Sequence, residues 1–129
     1  MKILIAYDKN MSTSKVMDVA LLHAKKLNAS VYLVRTCPSD AKHIEISQME
    51  SQLSELAQEV FKNNNIDCET HILIRGLTPG EDIVRYAREK NVDEIILGIK
   101  NKSKVGKLVF GSTAQFVILE ADCPVLSVK

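Results

Sequence analysis

The sequence has 129 residues, 46% of them hydrophobic and 26% charged, with a formal net charge of +1 at pH 7. These proportions predict one soluble domain over residues 1 to 129 with room for a sizeable core. So small a net charge excludes recruitment of nucleic acid or an anionic membrane by the field of the whole molecule, and any anion site has to be local.

The chain opens with "KILIAY" (residues 2–7), an apolar run that predicts a strand. Too few apolar residues precede Asp8 for a signal-peptide core or a membrane span, so the expected location is the cytoplasm. Val16, Val19, Ala20, Leu22, Ala24 and Leu27 then form a broad apolar helix face, with Asn28 as a left-handed stop. A second strand, "SVYLVR" (30–35), leads to a helix lined by Ile46, Met49, Leu53, Leu56, Ala57 and Val60 and ending in "NNN" (63–65). The third strand is "DCETHILI" (67–74). After it, Thr78, Pro79, Gly80 and Glu81 read as a capping box with Pro at the first helical position, and Ile83, Val84 and Ala87 face the core. "DEIIL" (93–97) is the fourth strand. A helix starting near residues 111–113 is expected to bury Ala114, Val117, Ile118 and Ala121, and "PVLSV" (124–128) is the last strand.

Alternation of strands and helices predicts a three-layer α/β sandwich, a Rossmann-like parallel sheet with right-handed crossovers and helices on both faces. With strand order 3-2-1-4-5, the order reverses between strands one and four, and a ligand belongs at the carboxyl ends of those strands. The stretch "LGIKNKSKVGKLVFGST" (97–113) leaves that point. It is the densest basic cluster in the chain, although Lys100, Lys102, Lys104 and Lys107 read first as solvated loop residues. Gly111, Ser112 and Thr113 would offer free backbone N–H groups and the positive end of a helix dipole to phosphate. Gly98 would leave room for a base or ribose.

The order of elements, "KILIAYD", "GLTPGEDIVRYAREKNVDEIILG" and "FGSTAQFVILEADCPVLSV" together resemble a universal stress protein over the whole chain. ATP-binding members of that family carry Gly, two residues, Gly, nine residues, Gly, then Ser or Thr. Gly98, Asn101, Gly111 and Ser112 keep this spacing, with Asn101 in place of the second glycine. Asn tolerates positive φ, so the backbone path is compatible, while its side chain would either donate a hydrogen bond or crowd the phosphates. Family members with nucleotide read Pro-x-Asp-Gly-Ser after the first strand, where this chain has Ala6, Tyr7, Asp8, Lys9 and Asn10. The resemblance implies ATP, ADP or AMP as ligand, with Mg²⁺ as a companion to be tested. Asp8 and Val34 would contact adenine, Leu97 and Gly98 would lie near base and ribose, and Gly111, Ser112 and Thr113 would take the phosphates. It further implies a homodimer through Val125, Leu126 and Val128, an unidentified protein partner, and a nucleotide-responsive role in stress in which phosphate orders residues 99–110. The alternative is a nucleotide-free member acting through its dimer and partner surfaces.

Other readings fit the residues less well. "NKSKVGKL" (101–108) lacks the first glycine and the final Ser or Thr of a Walker A loop. Ser12, Thr13 and Ser14 follow the first strand where a flavodoxin binds FMN phosphate, but the chain has no Trp to wall a flavin, and these hydroxyls suit helix caps better. Cys37, Cys68 and Cys123 have neither disulfide nor zinc spacing. His23, His43 and His71 lack ligand spacing, and no catalytic or metal-binding residue is nominated. Slow ATP hydrolysis is the most that would be expected of it as an enzyme.

Overall fold

A computed structural model describes residues 1–9, 13–74, 76–99 and 111–129. Five strands, β1 (Lys2–Ala6), β2 (Ser30–Thr36), β3 (Cys68–Leu73), β4 (Glu94–Gly98) and β5 (Val125–Val128), form one sheet in the order β3-β2-β1-β4-β5. All four pairings are parallel, and β1 aligns Ala6 with Val34 of β2 and with Leu97 of β4. The expected 3-2-1-4-5 order is therefore present. Four helices, α1 (Thr13–Leu27), α2 (His43–Val60), α3 (Pro79–Glu89) and α4 (Ser112–Glu120), make the crossovers.

Successive side chains of a strand point to opposite faces, and here both faces are apolar, as a sheet buried on two sides requires. Ile3, Ile5, Val31, Leu33 and Ile96 pack with Val16, Met17 and Ala20 of α1 and Leu53 and Ala57 of α2. Leu4, Ala6, Val34, Ile95 and Leu97 pack with Ile83, Val84 and Ala87 of α3 and Ala114 and Val117 of α4. Phe61, just beyond α2, is fully buried in the first layer.

Several helix faces differ from the expected ones. Leu22 and Leu27 are 51% and 40% exposed, and α1 buries Met17 in their place. Buried alanines at positions 20 and 24 let that helix lie close to the sheet, which narrows the stripe it needs to bury. Ile118 on α4 is 40% exposed, and Ala121 is only partly buried beyond the helix end. Thr78 is the N-cap of α3 with Pro79 next to it, but its hydroxyl makes no capping bond, so the box is not closed. The first helix stops at Asn28 with φ of 50°, as read from the sequence. The second helix ends at Val60, and a short 3₁₀ turn, Lys62–Asn64, carries the chain to Asn65 with φ of 60°.

Candidate functional site

The carboxyl ends of β1, β2 and β4 open into a cleft of about 460 Å³, within the usual range for a small-molecule site. Right-handed crossovers bring the starts of α2, α3 and α4 to the same edge. Glu45 and Met49, Pro79 and Ile83, and Gly111 to Ala114 therefore close the cleft from both faces of the sheet.

At one end the chain offers backbone. Gly98 finishes β4, and Gly111 caps α4 with extended dihedrals, φ −65° and ψ 160°. Any residue adopts those angles, so no special backbone conformation requires glycine at this position. The first bond inside the helix is from the Gln115 N–H to the Gly111 carbonyl at 3.0 Å. The N–H groups of Ser112, Thr113 and Ala114 thus have no acceptor within the helix. Gly111, the N-cap residue, has no side chain to cap them, and together with the helix dipole they form a donor set suited to an oxyanion.

At the other end the cleft is made of side chains. Tyr7, Asp8 and Lys9 follow β1, and Arg35, Thr36 and Pro38 come from the end of β2 and beyond. The Arg35 guanidinium carbon stands 5.4 Å from the centroid of the Tyr7 ring, and Nη1 donates to Gln52 Oε1 at 3.4 Å. The Tyr7 N–H donates to the Val34 carbonyl at 2.8 Å, which ties the two strand ends together.

Of the residues singled out from sequence, Asp8, Leu97, Gly98, Gly111, Ser112 and Thr113 come together as cleft lining. Val34 does not line it: its side chain is fully buried in the second core layer and its carbonyl is taken by Tyr7. Asn101 and Asn10, like the lysines of residues 100–107, lie outside the described residues. Val125, Leu126 and Val128 are half-buried on β5, which pairs with β4 at the sheet edge. The sequence reading passed over Tyr7, Arg35, Glu45, Met49, Pro79 and Ile83 as lining. A signal existed in that Tyr7 and Arg35 flank Asp8 and Val34, and Glu45 and Met49 lie four residues apart in one helix.

Little in the described cleft is equipped for covalent chemistry. Cys37 is near it, but burial first, and then the charge of Glu45, raises its thiol pKa, so the neutral form dominates and nucleophilicity is low. Its Sγ donates to the Pro38 carbonyl at 3.5 Å. His23 is 2.9 Å from Glu94 Oε1, linking α1 to β4. Among the described residues no group of three or more His, Cys, Asp or Glu is placed to hold a metal ion, and no helix is long and apolar enough to cross a membrane.

The cleft at the reversal of strand order and the glycine-capped helix beside it also occur in a known setting. Residues 1–129 match the Universal stress protein family. The chain belongs to that family. A universal stress protein of Archaeoglobus fulgidus superposes with a TM-score of 0.87 at 34% identity, covering 100% of this chain and 98% of that one. A structure of the universal stress protein from the same organism in complex with dAMP superposes with a TM-score of 0.82 at 30% identity, with the same coverage. A universal stress protein of Methanocaldococcus jannaschii is 29% identical over 141 residues, 99% of this chain and 81% of its relative.

Proposed function

We propose that this universal stress protein binds ATP or a related adenine nucleotide in the cleft and acts as a nucleotide-responsive regulator in the cytoplasm. The observation that carries the reading is the N-terminus of α4, which begins at a glycine and lines a cleft of nucleotide size at the strand-order reversal. The dAMP bound by the similar Archaeoglobus fulgidus protein supports adenine as the base. In this reading the N–H groups of Ser112 and Thr113 take phosphate, Gly98 gives the ribose space, and Asp8 and the end of β2 just beyond Val34 meet the base. Any Mg²⁺ would arrive on the phosphates, as this ion usually does.

Titration calorimetry with Mg-ATP, AMP and GTP against the protein and a Gly111→Asp variant tests the reading. Micromolar binding of the adenine nucleotides, lost in the variant, is expected. Absence of binding to nucleotide-free protein would overturn it in favour of the second reading, a member acting only through its surfaces. Lys9 favours that second reading, because this exposed side chain lines the cleft where nucleotide-binding relatives carry glycine.

The proposed assembly is a homodimer joined along β5 through Val125, Leu126 and Val128, a single domain per chain. An edge strand has one row of backbone groups available for pairing with a second copy. Light scattering at micromolar concentration should give twice 14.4 kDa; a monomeric mass would refute the dimer.

A further inference from the structure

The donors at the start of α4 account for phosphate but not for the choice of base. At the opposite end, Tyr7 and Arg35 sit side by side at the ends of two neighbouring strands, and both line the cleft. The Tyr7 ring packs against the buried core and its N–H is held by Val34, so its position is fixed by the sheet. Arg35 lies over that ring, 5.4 Å from its centroid, and Gln52 holds its Nη1 from α2. A guanidinium is planar, always charged and weakly hydrated, and it stacks on aromatic faces. Placed over the ring and lining the cleft, Arg35 is within reach of a ligand there.

We propose that Arg35 is a specificity-determining residue, which with Tyr7 forms a stacked platform for the face of a purine base. The inference rests on the nucleotide reading above and adds the selection of base class. A purine offers two fused rings to such a surface and a pyrimidine one, so stacking favours the purine even where the phosphate contacts are identical. The platform is already assembled by Tyr7 and Gln52, so little ordering is needed when the base arrives.

The test is calorimetric affinity for AMP and CMP, which share phosphate and ribose, measured on the wild-type protein, Arg35→Ala and Arg35→Lys. Wild type should prefer AMP. Both variants should weaken AMP about tenfold, the order expected for one stacked base, and change CMP by less than about twofold. Thermal midpoints should not move, since Arg35 is only partly buried. Equal weakening of AMP and CMP would overturn the proposal, because Arg35 would then act as a general cation for phosphate. Full retention of AMP affinity in Arg35→Lys would overturn it too, since charge without a planar face would suffice. A wild type that binds AMP and CMP equally also refutes the platform, whereas a wild type that binds neither refutes the nucleotide reading and the platform with it.

Discussion

The two ends of the cleft are made of different material. Beside α4 the chain presents main-chain donors and two glycines; beside β1 and β2 it presents a ring, a guanidinium and the side chains of Glu45 and Met49. Main-chain donors are placed by the helix itself and tolerate substitution around them, so that end suits a group common to many ligands. Side chains can be exchanged one at a time without disturbing the sheet. If the α4 end holds phosphate, as proposed, a fold of this kind can keep that end while changing what it reads at the other.

Substitutions can separate the ends from each other and from the scaffold. The largest effect on stability is expected away from both, at Phe61, which is fully buried where α2 gives way to the lower rim. Phe61→Ala should cost about 3–5 kcal/mol in denaturant unfolding and leave the ratio of AMP to CMP affinity untouched. Gly111→Asp puts a carboxylate at the proposed phosphate end and should weaken both nucleotides about 10- to 30-fold, with their ratio preserved. A changed ratio would show that the ends are not independent.

Gly80 connects the scaffold to the site. A Cβ there would lie 2.8 Å from Phe116 Cβ and 2.9 Å from its Cγ and Cδ1, so α4 would have to move away from α3. Gly80→Ala should destabilise by about 1–3 kcal/mol, and because α4 carries the proposed phosphate donors it should also weaken AMP and CMP together. Cys68 gives a pH test at the opposite rim. Burial pushes its thiol up to about 12, from an ordinary 9.0. The unfolded thiol ionises first, so stability from the neutral thiol is complete below about pH 9 and is lost as pH rises toward 12. Cys68→Ala should flatten that alkaline decline, with a difference in melting temperature of about 3 °C near pH 10. The smallest effect is expected from Gln52→Ala, which frees Arg35 without removing it and should weaken AMP about twofold to threefold.

The layers of the fold were legible because a strand buried on both faces must be almost wholly apolar, as Ile3, Leu4, Ile5 and Ile95, Ile96, Leu97 are. Glycine spacing likewise reveals where backbone approaches a ligand, so Gly98 and Gly111 could be placed in advance. The Arg35–Tyr7 contact could not be read this way. It depends on two side chains from strands separated by a whole helix, and only the β1–β2 register brings them together. Leu22, Leu27 and Ile118 were misplaced for a related reason: an apolar residue satisfies a periodic pattern whether or not a neighbouring layer reaches far enough to cover it.

Asn28, Asn65 and Asn91, with φ of 50°, 60° and 53°, each turn the chain at the end of a helix, or of the short 3₁₀ turn, and lead it to the next strand. Between Leu27 and Ser30 only two residues make the corner, whereas six separate Thr36 from His43 on the cleft side. The lower rim therefore has little spare chain, and inserted sequence there would pull a helix off the sheet. Engineering would have to work from the upper rim. A reporter segment or a randomised library placed after β2 would lie at the cleft itself, and the asparagine corners would keep the rest of the domain in register beneath it.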